Sequence, residues 1–320
     1  MSLKENFKNP GIEFRSAPFW SWNDDLKDEE LHRQIKEMKE KGIGGFFMHS
    51  RIGLITPYLS SEWIDKVKTA VSFAKEIGIL AYLYDEDRWP SGFAGGIVPS
   101  KGKEYQIKAM KCKIVNGKKI FDTVHAPAIP WFNNYSYIDV FSKKVVKAFI
   151  ESTHEVYFRE LENEFGKTIP AIFTDEPNYS VRGSSPQEML IPWTDDLPYR
   201  FEQRYGYKIS DYLPPLFFNE GDYKKIRYDF WNLITDLFLE SYSQQIYNWC
   251  QEHNLAYTGH YLAEDTLTSQ IRTIGAAMPH YEYMHIPGID HLGCNIHNLL
   301  TLKQVSSVAH QLGKKRVLSE

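Results

Sequence analysis

The sequence predicts an α/β fold, a (β/α)8 barrel of the TIM type with seven strands in view and an insertion after the third. Three observations carry that expectation. Short apolar runs alternate with amphipathic helical stretches along most of the 320 residues, the pattern of a parallel sheet with helices outside it. Nearly every predicted strand runs out into acids, histidine, arginine or tryptophan, as catalytic barrels do at one face. A doubly wound open sheet would show a glycine-rich phosphate loop after its first strand, and SAPFWSWND has none.

Taken in order, SAPFWSW (16–22) is the first strand. DEELHRQIKEMKEKG follows as a helix, with acids at its start, lysine near its end and Gly42 as its stop. IGGFFMHSR (43–51) is too short for a helix and reads as the second strand. In 60–78, Trp63, Val67, Val71 and Ala74 share one helical face and Gly78 ends it. ILAYLYDEDRWPSG (79–92) gives the third strand. The rhythm then breaks from about 93 to 136, where Asn116-Gly117 between alternating segments signals a hairpin. A long helix (142–165) leads to strand four in IPAIFTDEP (169–177), and 178–221 reads as a long loop with short helices. A helix over 222–253 feeds strand five in LAYTGHYLAED (255–265). YEYMHIPGID (281–290) is strand six, and the helix 299–313 feeds KKRVLSE as strand seven. One catalytic domain spanning 1–320 is the expected organisation.

Composition narrows the function. The chain is 42% hydrophobic and 24% charged, with a formal net charge of -4. Neither that sign nor any basic block supports a nucleic-acid or anionic-membrane partner. No apolar run reaches the roughly 18 residues that a bilayer span needs. The polar start MSLKENFKNPG lacks the apolar region of a signal peptide, so a cytoplasmic location is expected. Cys112, Cys250 and Cys294 have neither metal-site nor disulfide spacing and read as free thiols.

The strand ends carry the chemistry. Trp20, Trp22 and Asn23 follow strand one; His49, Ser50 and Arg51 strand two; Asp85, Glu86, Asp87, Arg88 and Trp89 strand three. Strand four offers Asp175 and Glu176, strand five His260 and Tyr261, strand six His285 and Asp290, and strand seven Glu320. Glu176 and Glu320 fall on strands across a barrel from each other. Two carboxylates flanking a sugar are what glycoside hydrolysis needs, one to protonate the leaving oxygen and one to attack or to activate water. Asp175 beside Glu176 can raise the pKa of one of the pair by like-charge repulsion. Glu320, at the end of the chain, is equally readable as a frayed terminal residue.

DEDRWPSG can bind sugar hydroxyls, hold a hard cation, form a buried Arg–carboxylate network or be a solvated turn. Trp20, Trp22 and Trp89 can stack on sugar faces or simply pack in the core. His49 and His260 read as hydroxyl ligands, as core histidines, or, with Asp85, as ligands of a metal-dependent hydrolase.

PFWSWND, GIGGFFMHSRIGL with YLSSEW after it, YLYDEDRWPSGFAGG, FTDEP and VLSE, in that order, resemble the catalytic barrel of glycoside hydrolase family 106, whose characterised members are α-L-rhamnosidases. The resemblance covers about residues 14–320. It implies an inverting glycosidase acting on a deoxy-sugar glycoside, with calcium assisting substrate binding, Glu176 as the general acid and Glu320 as the base. It also makes Trp20, Trp22, His49, Arg51, Asp85, Glu86, Asp87, Arg88, Trp89, Asp175 and His260 candidates for substrate contact. Family members usually continue into an eighth βα unit and β-rich accessory domains, so the expectation is a barrel cut short after its seventh strand. Its unpaired edges then invite a homodimer through the open seam. A catalytically inactive sugar-binding barrel is the alternative from another class.

Overall fold

The computed structural model describes residues 3–181, 188–294 and 299–320. Its main sheet has seven strands, all pairs parallel: β1 (Phe19–Trp22), β2 (Gly45–Ser50), β3 (Leu80–Tyr84), β6 (Ala171–Asp175), β8 (Ala256–His260), β9 (Ile286–Ile289) and β10 (Leu318–Ser319), in that spatial order. A three-stranded antiparallel sheet, β5-β4-β7, is formed by β4 (Lys108–Val115), β5 (Lys118–His125) and β7 (Met189–Trp193). The hairpin turns at Asn116-Gly117, both at positive φ as such a turn requires. β7 lies in the stretch read from sequence as loop. It pairs with β4 about eighty positions earlier in the chain, and no local pattern carries that pairing.

The sheet curls, so its two faces build different cores. The outward residues Trp22, Phe46, Met48, Ala81, Leu83 and Ile172 pack under the helices. The inward residues Phe47, Tyr82, Tyr84, Ala171, Phe173 and Ile286 form a second cluster inside the curl. Burial on both faces explains why β2 is buried along its whole length and shows no polar alternation.

The helix Ser61–Ile77 begins where Ser60 Oγ accepts from the Trp63 amide at 3.2 Å and ends at Gly78 with φ +71. Its Trp63 ring meets Trp22 edge-on at 5.0 Å. Two helices expected to be continuous are interrupted. The first breaks at Thr153 into Lys143–Ser152 and His154–Leu161. The second runs Tyr223–Phe238, then takes a π turn over Leu239–Ser243 before Gln244–Glu252. That π turn brings Tyr242 to Thr174 and Ser243 to Tyr261, at 2.9 and 2.6 Å, beneath the ends of β6 and β8.

Among the described residues β1 and β10 do not pair with each other, and a cavity of about 600 Å³ lies between them, lined by Phe19, Phe47, Tyr82, Ile286 and Leu318 among others. No described helix is long and apolar enough to cross a membrane.

Candidate active site

Strand parity decides which residues reach the site. On β1, Phe19 and Ser21 face the interior of the curl, whereas Trp20 and Trp22 face the helices. Phe19 and Ser21, with His49, Arg51, Trp89, Asp175, Glu176, His260, Asp290, Leu292 and Glu320, line a cavity of about 300 Å³ at the C-terminal ends of the strands. Ladder register brings several of them together: Ser21 is opposite His49, and Asp175 is opposite His260.

Six of the sequence candidates are elsewhere: Trp20, Trp22, Asp85, Glu86, Asp87 and Arg88 do not line this cavity. Trp22 is 1% exposed, and Trp20 donates its indole N–H to Gln34 Oε1 at 2.6 Å beneath the helix Asp28–Glu40. Neither indole lines the cavity. Replacing Trp20 by phenylalanine is therefore expected to cost about 1 kcal/mol of stability, the worth of one buried hydrogen bond, read as a lower denaturant midpoint, with saccharide affinity unmoved in a titration.

Asp85 and Glu86 are fully buried. Glu86 accepts from the backbone amides of Asp87, Gly92, Ala94 and Gly95 at 2.7–2.9 Å, which folds the loop after β3 around its carboxylate. Asp85 accepts from Ser91 Oγ, and Ser91 Oγ accepts in turn from the Asp175 amide. Burial pushes the Asp85 carboxyl up to about 8. The two acids shape the loop that presents Trp89 and do not line the cavity.

Asp87 accepts from Ser50 Oγ at 2.8 Å and pairs with Arg88 at 2.6 Å. Both Asp87 and Arg88 line a neighbouring cavity of about 350 Å³ that Arg51 shares with the first.

The acids in the site differ by environment. Glu176 sits just past β6 at φ +49, a sparsely allowed conformation for a residue with a side chain, and its amide donates to His260 O at 3.2 Å. Burial, then the Asp175 charge, raises its carboxyl to about 7. Asp175 accepts from Tyr84 Oη at 2.6 Å and lies 3.4 Å from His260 Nε2; burial raises it to about 6.

His260 follows Gly259, whose φ of +135 and approach to Thr174 leave no room for a Cβ: one built there would meet Thr174 O at 2.0 Å. Burial alone would lower the imidazole. The hydrogen bond to Glu320 (Nε2 to Oε2, 2.6 Å) and the charges of Asp175 and Glu264 outweigh it and lift His260 to about 10. Glu320 is thus held in an ion pair, with its amide tied to Ile289 O at 3.0 Å.

Two further acids matter here. Asp290 follows β9, and Oδ1 of its carboxylate is buried with no hydrogen-bond partner. Glu264, which the sequence reading did not single out, accepts from the Asp290 amide at 2.8 Å and from Tyr281 Oη, fixing the loop after β9. His49 is the neutral counterpart of His260: burial, then Arg51, lowers it to about 3. Its ring tilts against Tyr84 at 3.9 Å, and its Nε2 is buried without a partner.

The metal readings fare less well. Among the described residues, ligand atoms of three such groups come within 4.8 Å of one another in two places, Asp175–His260–Glu320 and Glu176–His260–Asp290. Neither includes His49 or Asp85, so the metal-hydrolase set expected from those residues is not assembled. Calcium takes six to eight oxygen ligands. Both trios instead depend on the His260 imidazole, which holds a proton, cannot ligate in that state and already supplies positive charge there. Neither trio by itself supplies the oxygen set of a calcium site.

The model of the alpha-L-rhamnosidase family matches residues 123–320, a stretch that holds Asp175, Glu176, His260, Asp290 and Glu320 but not the motifs before it. No curated protein matches. In three dimensions the chain is similar to a rhamnosidase from Novosphingobium sp. PP1Y, with a TM-score of 0.68 at 11% identity, covering 100% of this chain and 53% of that one. At that identity the likeness concerns the fold, and the chain spans about half the length of that protein. With the family match covering more than half of its residues, the chain belongs to glycoside hydrolase family 106, the alpha-L-rhamnosidase family.

Proposed function

We propose that the curled sheet is seven strands of a (β/α)8 glycosidase barrel, with the β4–β5 hairpin on an insertion after β3. In this reading the site cleaves a deoxy-sugar glycoside such as an α-L-rhamnoside by inversion. The observation that carries it is a pair of carboxyl groups in one cavity, one raised by burial and the other hydrogen-bonded to a histidine. Glu176 is raised to about 7, so it holds its proton near neutrality, while Glu320 is ion-paired with His260. A carboxyl group raised by burial is suited to the acid role, which leaves the other carboxylate of the pair as the base.

Glu176 donates its proton to the glycosidic oxygen as the bond to the anomeric carbon breaks. Water attacks that carbon from the opposite face and passes its proton to Glu320. The leaving sugar departs as an alcohol, and solvent restores both carboxyl groups. Arg51, Trp89 and the uncharged His49 contact the substrate, His49 through its free Nε2. Asp175 and His260 set the charge around the pair.

The test is the product. In an NMR time course with an α-L-rhamnoside, the first-formed sugar is expected to be the β anomer. First-formed α anomer would overturn inversion. Sugar binding without turnover, unaltered by Glu320→Gln, would favour an inactive binding barrel.

A further inference from the structure

The candidate cavity is acidic, lined by Asp175, Glu176, Asp290 and Glu320, yet it also holds one arginine that none of these acids takes. Among the described residues no ion pair includes Arg51, whereas the nearby Arg88 is paired with Asp87. What holds Arg51 is an aromatic face: its guanidinium carbon lies 4.6 Å from the centre of the Trp89 ring. Trp89 meets Trp131 edge-on at 4.7 Å, Trp131 donates its indole N–H to Trp89 O at 2.7 Å, and Arg88 lies over the Trp131 ring at 5.8 Å. Stacking uses the flat face of a guanidinium and leaves its in-plane N–H groups free to bind an anion.

Arg51 also stands at a junction. It lines both the catalytic cavity and the adjoining cavity of about 350 Å³, whose other lining includes Asp87, Arg88, Gly95 and Asn133. With Asp87 and Arg88 neutralising each other, the charge that this second space offers a ligand is that of Arg51. Its size falls within the roughly 300–1,000 Å³ common for small-molecule sites.

Direction follows from the sheet. β3, whose loop carries Trp89, is four places from β10, which Glu320 follows. Water activated at Glu320 attacks from that side in an inverting reaction, so the leaving group departs toward the opposite wall. That wall is where Trp89, Arg51 and the second cavity lie.

We propose that Arg51 and the adjoining cavity form a leaving-group subsite for a uronic acid, with the guanidinium binding its carboxylate in a two-pronged contact while Trp89 bears on the ring. The substrate class is then a deoxy-sugar linked to an acidic sugar. The proposal rests on the glycosidase reading for its orientation, but the binding it claims is measurable without turnover.

Rhamnosyl disaccharides of 1→2, 1→3 and 1→4 linkage, ending in methyl glucuronide or in its uncharged carboxamide, serve as matched probes. Binding to the full chain is measured by calorimetry, in wild type and in Arg51→Gln and Arg51→Lys. At least one glucuronide is expected to bind about 10-fold or more tighter than its amide, the usual worth of a charged over a neutral hydrogen bond. Arg51→Gln should bring the ratio close to one, and Arg51→Lys should restore it only partially. Equal binding of acid and amide by wild type, no binding of either, or a ratio unmoved by Arg51→Gln would overturn the subsite. A sulfated neutral sugar that binds as tightly as the glucuronide would overturn the assignment to a carboxylate. An Arg51-dependent preference with no hydrolysis of any probe would keep the subsite and sink the glycosidase reading.

Discussion

Replacing Glu176 by glutamine is expected to slow hydrolysis of a rhamnoside with an alkyl or sugar leaving group by about 10²- to 10⁴-fold, the range for loss of a positioned general acid. The amide keeps the size of the carboxyl group and loses its proton. A nitrophenyl leaving group needs little protonation, so the same substitution should cost it far less. That contrast between leaving groups distinguishes an acid from a residue that only holds the loop.

The pH profile gives a second reading of the same group. Burial and Asp175 raise Glu176 to about 7, so the protonated form required of an acid is lost as pH rises through that value. Wild type should show a falling limb near pH 7 in kcat/KM, and Glu176→Gln should lack it. Equal loss for both leaving groups, with the limb intact, would remove Glu176 from the acid role.

Why some of this was legible in sequence and some not comes down to the range of the interactions. FTDEP, MHSR and VLSE each place a cavity-lining side chain at or next to the end of a parallel strand, and that is a local pattern. Trp20 and Trp22 lie on just such an end too, but alternate side chains on a strand point to opposite faces. Phe19 and Ser21 have the inward parity; the two tryptophans that drew the sequence reading have the outward one. In DEDRWPSG the acids are close in sequence and far apart in role. Glu86 turns inward to four loop amides, Asp85 to Ser91, and Trp89 alone of the group reaches the catalytic cavity.

Glu264 shows the other limit. Its carboxylate works through Tyr281 and the Asp290 amide, about twenty residues away along the chain, and nothing local in LAED announces that link. The protonation of His260 was likewise out of reach. It depends on Glu320, sixty residues away, being brought to 2.6 Å by the pairing of β9 with β10. Short-range signals gave the strands and their ends. The charge state of the site arises only when four strands meet.

That charge state sets the second large effect, on stability. His260 is a buried cation facing carboxylates from every side: Asp175 from β6, Glu320 from β10, Asp290 after β9 and Glu264 from its own loop. Its folded-state pKa, about 10, lies above its ordinary 6.5. A raised pKa means that its contribution to stability is complete below the ordinary value and is lost as pH rises through the folded one. Burial raises Asp85 to about 8, which works in the same direction over a lower range, and the Glu86 carboxyl and Cys250 thiol, both raised by burial, add a fall of the same sign, so the histidine is read from the difference between wild type and a variant. Wild-type stability is expected to fall between pH 8 and 10, by up to about 1.4 kcal/mol per pH unit from the histidine.

His260→Gln should be less stable than wild type by about 3–5 kcal/mol at pH 7, the cost of removing one partner of a buried ion pair. Its fall from pH 8 to 10 should also be shallower than that of wild type. Denaturant melts of both proteins across that range measure the difference. Should the variant fail to fold, the wild-type slope carries the test by itself, because a wild-type midpoint that stays level between pH 8 and 10 contradicts an imidazolium at this position. Activity separates positioning from mere support. With His260 lost, Glu320 loses the 2.6 Å hydrogen bond that holds its carboxylate in place. A folded His260→Gln should then lose kcat with KM little changed, a split that simple loosening of the fold would not produce.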